Sequence, residues 1–195
     1  MPESEEGNVM NIMVVGVGGQ GTLLTSRIIG KCALEAGYDV KLSEVHGMAQ
    51  RGGSVVTFVR FGDKVYEPVV EEGEVDVLIS FERLEALRYA HFLKKDGVLI
   101  VNDTRIDPMT VVIGAKSYPE GIIEGLSAEH KVYAIDGGEI AAQIGNSKVL
   151  NSAVLGLAAK YIGFSEEEWL GVLKSTVPQK TVDVNVAAFK AGYGK

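Results

Sequence analysis

The chain reads as an α/β protein of Rossmann-like type, a mostly parallel sheet flanked by helices with a β-hairpin at one edge. Three observations lead there. Short apolar runs of strand character alternate with patterns of helical period from Met10 to Asp136. A glycine-rich stretch, Gly16-Val17-Gly18-Gly19-Gln20-Gly21, separates the first apolar run from the first helical pattern. Two extended segments, Ser54–Phe61 and Lys64–Val70, are parted only by Gly62-Asp63, the spacing of a hairpin.

Residues 1–9 carry three Glu and little apolar content and are expected to form a flexible tail, with 10–195 a single domain. Met10–Val15 is the first strand. The glycines that follow fit G-x-G-x-x-G at Gly16, Gly18 and Gly21, a spacing that permits a tight turn, close approach of a ligand to the backbone, and close packing of helix on strand. Free N–H groups where the next helix starts favour an anion such as phosphate, and a purely structural turn is the alternative. Gln20 brings a side-chain amide able to donate and accept at the same spot. Thr22–Ala36 is the first helix, ended by Gly37, and Asp39–Val45 the second strand. Its Glu44 stands at about the distance where a dinucleotide fold keeps the acid that binds ribose, so a nicotinamide or flavin enzyme is one reading.

The loop His46-Gly47-Met48-Ala49-Gln50-Arg51-Gly52-Gly53 comes next. Ligands of open α/β sheets bind beyond the carboxyl ends of the strands, so this loop and the glycine turn are expected on one rim, with Gly18, Gln20 and Arg51 together. Arg51 offers its fork of donors to a phosphate or carboxylate ligand, or to a carboxylate of the protein; His46 is a base or a structural hydrogen-bonder. Gly19, Gln50, Gly52 and Gly53 complete the candidate binding set. No catalytic residue and no metal ligand is assigned.

After the hairpin come the strand Val75–Ser80, the helix Arg83–Leu93 and the strand Val98–Asn102, which put Phe81, Glu82, Asn102 and Asp103 at strand ends on the same rim. Thr110–Ile113 and Val132–Asp136 read as short strands with a helix, Glu120–Leu126, between them. Gly138–Gly194 is helical in pattern, broken at Gly145, Gly163 and Pro178. Ser165 with Glu168 forms a capping box, so the acidic run there is helix-start chemistry. Phe189 and Tyr193 either pack the last helix down or form part of an interface, with core packing favoured.

Composition narrows the function. With 46% hydrophobic and 23% charged residues the chain buries a sizeable core. Twenty-six acidic against 19 basic residues give a charge of -7, which argues against a nucleic-acid surface. No membrane partner and a cytoplasmic location are expected, since no apolar run reaches the ~18 residues of a span and the acidic start is no signal peptide. Cys32 is the single cysteine. It cannot supply the four thiolates of an iron–sulfur cluster, and its place in the apolar pattern of the first helix makes it a structural thiol. His46, His91 and His130 have no metal-ligand spacing.

The glycine turn, together with Glu44-Val45-His46-Gly47-Met48-Ala49-Gln50-Arg51-Gly52-Gly53-Ser54-Val55, resembles the gamma subunits of the 2-oxoacid:ferredoxin oxidoreductases, among them the small subunits of the indolepyruvate enzymes. Phe81–Arg88, Ile144–Val149 before Asn151, and the ending Asn185–Tyr193 extend the resemblance over nearly the whole chain from Met10, and the run from Met48 to Gly53 is its most specific part. The resemblance implies a subunit of an enzyme that oxidatively decarboxylates an aryl 2-oxoacid with coenzyme A to an acyl-CoA while reducing ferredoxin. It assigns thiamine diphosphate and the iron–sulfur clusters to a large partner subunit. Gly62-Asp63-Lys64 agrees, lacking the third residue of the G-D-G that opens a thiamine diphosphate motif. The glycine turn then serves a phosphate of the CoA, a subunit contact, or both. Two other readings stand beside this one: a free-standing nicotinamide or flavin enzyme, which lacks a Tyr-x-x-x-Lys pair, and a non-catalytic interaction module.

Overall fold

The structure, a computed structural model, describes residues 8–46 and 53–195; of His46 only the backbone is described. Six strands, β1 (Met10–Val17), β2 (Asp39–His46), β3 (Ser54–Gly62), β4 (Val75–Ser80), β5 (Leu93–Asn102) and β6 (Lys131–Ile135), form one sheet in the order β2-β3-β1-β4-β5-β6. β1, β4, β5 and β6 are parallel neighbours, while β3 runs antiparallel to both β1 and β2. β1 and β2 therefore point the same way, and their carboxyl ends share a rim with the start of β3.

β1 is apolar at almost every position because both of its faces are covered. Ile12 and Val14 join a cluster with Ile28, Ile29 and Ala33 of α1 (Thr22–Glu35), whereas Met13 and Val15 join one with Ala86 of α2 (Arg83–Tyr89). A one-turn α3 (Met109–Val112) and α4 (Ile122–Glu129) follow, the latter on the α2 side. The other face is thicker. It carries α1 with α5 (Gly137–Ile144), α6 (Leu150–Ala159), α7 (Glu166–Thr176) and α8 (Val182–Tyr193). α6 and α8 touch backbone to backbone: a Cβ on Gly192 would collide with the Ala153 carbonyl, and one on Gly156 with that of Phe189. Trp169 and Phe189 are fully buried, and Tyr193 stacks on Phe189 with centroids 5.9 Å apart. Ser165 and Glu168 make the expected capping box on α7.

Three details differ from the sequence reading. The segment Lys64–Val70 is not a strand. Its alternation comes from two anchors, Val65 and Val70, each 2% exposed, and its carbonyls turn to the buried Arg60, whose Nη1 donates to Glu67 O at 2.8 Å and Val69 O at 3.2 Å. The antiparallel hairpin is β2–β3 instead, and β3 lies between β2 and β1, leaving β2 at the edge. Thr110–Ile113, a β-branched run, is mostly the helical turn α3, entered from Pro108 and without a buried residue, so no sheet contact rewards its strand propensity.

Candidate functional site at the glycine turn

The turn between β1 and α1 is held rigidly from inside the protein. Gly19 and Gly21 have φ of 99° and 84°, the left-handed region that only glycine enters cheaply. Gln20 folds back under the turn: its Oε1 accepts from Val17 N at 2.7 Å and its Nε2 donates to Phe81 O at 2.9 Å. Both polar ends of the amide are thus engaged with the backbone. Gly16 makes room for this, since a Cβ there would stand 2.9 Å from Gln20 Oε1 and 3.1 Å from Phe81 Cβ. Gly18 N donates to Gly53 O at 3.0 Å, which brings the glycine turn and the end of the loop after β2 to one rim.

Gln50, Arg51 and Gly52 lie outside the described residues, as does the side chain of His46. Glu44 is described. With Gly18, Gly19, Gly21, Thr22, Leu23 and Val55 it lines an open cavity of about 450 Å³ at the start of α1. It pairs with Thr57 on β3, not with β1, so it stands one strand spacing of ~4.8 Å farther from the glycine turn than in a sheet where strands one and two are neighbours. α1 itself begins without a side-chain cap and without an acid in its first turn. Its leading N–H groups have no partner within the helix, and the residues that carry them, Thr22 and Leu23, line this cavity.

Other rim residues are committed to structure. Phe81 O also accepts from Asn102 Nδ2 at 3.2 Å, and Asn102 Oδ1 accepts from Gly137 N at 2.9 Å, tying the ends of β1, β4 and β5 to the start of α5. Glu82, 1% exposed, caps α2 through Glu85 N and accepts from Tyr118 OH at 2.5 Å and Ile106 N at 3.1 Å. Burial, and then the bond to Glu82, hold the Tyr118 hydroxyl well above the usual tyrosine range. Asp103 pairs with Arg83.

Two residues at this rim carry no local signal in the sequence. Glu85, 3% exposed, receives Ser54 Oγ at 2.5 Å and Arg88 Nη1 at 3.1 Å, and burial raises its carboxyl above the ordinary range. Asn151, in the first turn of α6, lies directly over Gly21. Among the described residues no group of three His, Cys, Asp or Glu is placed to hold a metal, and no helix is long and apolar enough to cross a membrane. Cys32 is buried, and burial, followed by the charge of Glu35, pushes its thiol up to about 12.

The family model described as "Pyruvate ferredoxin/flavodoxin oxidoreductase" matches residues 11–195. The chain belongs to the pyruvate ferredoxin/flavodoxin oxidoreductase family. Within it, the chain is 43% identical over 189 residues to the indolepyruvate oxidoreductase subunit IorB of Thermococcus kodakarensis, covering 93% of each. It is 44% identical over 188 residues to the IorB subunit of Pyrococcus horikoshii, again covering 93% of each. Among solved structures of the family's fold is a 2-oxoglutarate:ferredoxin oxidoreductase from Magnetococcus marinus, determined with 2-oxoglutarate, coenzyme A and succinyl-CoA bound. It matches with a TM-score of 0.75 at 19% identity, covering 97% of this chain and 31% of that longer one.

Proposed function

We propose that this chain is the small subunit of a cytoplasmic indolepyruvate:ferredoxin oxidoreductase and that its glycine-turn rim receives the phosphates of coenzyme A. The complex cleaves the bond between the carboxylate and the carbonyl carbon of an aryl 2-oxoacid. CO₂ leaves, the acyl group is joined to the thiol sulfur of coenzyme A as the thiol proton is lost, and the electron pair passes to ferredoxin. Thiamine diphosphate and the iron–sulfur clusters belong in this reading to a larger partner subunit. A single buried cysteine cannot hold a cluster.

The observation that carries the reading is full-length identity of 43–44% to subunits named for indolepyruvate. Two features of the rim support the role in binding coenzyme A. α1 presents uncapped N–H groups to an open cavity, an arrangement suited to a phosphate oxygen. In the Magnetococcus enzyme, where this fold is part of a longer chain, coenzyme A is bound. The dinucleotide reading is the weaker one, because β3 separates Glu44 from the strand that carries the glycines.

The test is oxoacid-dependent reduction of a viologen dye by this chain alone, by the large partner alone, and by the two mixed. Turnover of indolepyruvate with coenzyme A by the mixture only is the expected result. Turnover by this chain alone, or a mixed complex that prefers pyruvate, would overturn the proposal.

A further inference from the structure

We propose that the excursion after β5, residues 105–118, is a docking knob for the larger subunit, with Met109, Val112 and Ile113 entering an apolar pocket of that partner. This rests on the reading given under the proposed function, in which the larger subunit holds thiamine diphosphate. It assigns the surface by which the two subunits meet.

Among the described residues the three most exposed large apolar side chains are Met109 at 71%, Ile113 at 68% and Val112 at 66%. They stand at i, i+4 and i+3 on α3, so a single helical turn gathers them on one side. Val111, on the other side, packs into the cluster that contains Ala86 and Leu99. A lone exposed aliphatic residue is ordinary, but three on one turn form a contiguous apolar patch, the mark of a contact surface.

The knob is stiff. Both of its stems are tied to one atom of the buried Glu82: its Oε1 accepts from Ile106 N at 3.1 Å and from Tyr118 OH at 2.5 Å. The Arg105 guanidinium lies 4.4 Å from the centre of the Tyr118 ring, and Lys116 N donates to Thr110 O at 2.9 Å across the neck of the loop. Little freedom is left to lose when a partner binds, which favours association.

Position, charge and size select the occupant. β1, β4 and β5 run parallel, so the excursion leaves from the rim that carries the glycine turn. One carbonyl joins the two: Phe81 O accepts from Gln20 Nε2 at 2.9 Å and from Asn102 Nδ2 at 3.2 Å. Coenzyme A held on that rim must carry its thiol to the acyl group in the larger subunit, so the rim faces that subunit and the knob faces it too. From Pro108 to Pro119 the only charged residue is Lys116, in a chain of net charge -7, so the apex holds no carboxylate and is desolvated cheaply. A one-turn knob covers only a small part of the roughly 1,200 to 2,000 Å² that a stable interface buries. It therefore anchors a wider contact along the rim and does not by itself hold two copies of this chain together.

The experiment titrates the full-length chain against the purified larger subunit by calorimetry, using the wild type, Val112→Asp, Met109→Gln and, as a control on α1, Leu34→Asp, where Leu34 is 60% exposed. Urea unfolding of each free chain reports its folding. The expected Kd rises at least thirtyfold in Val112→Asp, about threefold to tenfold in Met109→Gln and less than twofold in Leu34→Asp, with the urea midpoints of the α3 variants unmoved and kcat restored at saturating small subunit. If Val112→Asp unfolds the chain, Met109→Gln, at the most exposed position, decides alone. Wild-type affinity in the α3 variants, while the wild-type mixture oxidises indolepyruvate, overturns this inference and leaves the proposed function standing. A wild-type chain that neither binds the larger subunit nor turns over with it overturns both. An equal loss in Leu34→Asp shows that any added charge disrupts association and overturns the inference. Self-association of the wild type that Val112→Asp abolishes, with affinity for the larger subunit unchanged, gives the knob to a second copy and overturns it as well.

Discussion

Removing the Gln20 amide should loosen the glycine turn by an amount that can be worked out from its bonds. In Gln20→Ala, Val17 N loses an acceptor at 2.7 Å, and Val17 is only 8% exposed, so water replaces that acceptor poorly. An orphaned, largely buried donor costs about 1 to 3 kcal/mol. The lost donor to Phe81 O costs less, about 0.5 to 1 kcal/mol, because Asn102 Nδ2 still reaches that carbonyl at 3.2 Å. The sum is about 1.5 to 4 kcal/mol, which moves the urea midpoint down by about 0.5 to 2 M for a domain of this size. Gln20→Glu keeps the acceptor for Val17 N but sets a carboxylate oxygen against Phe81 O, so it should still be destabilised relative to the wild type. Combining Gln20→Ala with Asn102→Ala leaves Phe81 O without either donor, so the pair should be worse than additive by about 0.5 to 1 kcal/mol. Equilibrium unfolding of the isolated chain followed by circular dichroism measures these three variants and Asn102→Ala alone. A Gln20→Ala midpoint within about 0.3 M of the wild type would refute the claim that this side chain holds the turn.

Three further outcomes follow from the packing and the titrating groups. Gly192→Ala should destabilise by about 2 kcal/mol despite the better helix propensity of Ala, because its Cβ pushes against the Ala153 carbonyl; a stabilised variant in urea unfolding would show that α6 and α8 are not in backbone contact. Cys32 should resist iodoacetamide at pH 8 in the native chain and react on unfolding, since its thiol is buried and pushed up to about 12; rapid labelling of the native chain would contradict this. Glu85 has a folded-state value above its ordinary 4.5, so its contribution is fully present below that pH and is lost as pH rises through the folded value. Wild type should therefore lose stability relative to Glu85→Gln on going upward from about pH 4.5, and a difference that is flat with pH would show that Glu85 is not desolvated.

The glycine turn was legible because everything that makes it is local: a strand in, three glycines at fixed spacing, a helix out. The α7 cap was legible for the same reason, as Ser165 and Glu168 are three residues apart. Strand order is not local. Nothing in residues 39–62 says that β3 will insert between β2 and β1, because the burial of Val56, Phe58 and Val59 looks the same at a sheet edge closed by a helix as in its interior. Lys64–Val70 misled because two core anchors at odd spacing imitate alternation, and the deciding partner, Arg60, acts through backbone carbonyls that have no letter of their own. Asn151 lies 130 positions from Gly21 along the chain, and a lone Asn in a helical pattern carries no sign of the turn it covers.

The claim that the glycine-turn rim holds the phosphates of coenzyme A is tested most directly by backbone amide hydrogen exchange on the assembled complex with and without saturating coenzyme A. Slowed exchange in residues 18–24 is the predicted result. Unchanged exchange there, with protection appearing only on the larger subunit, would contradict it.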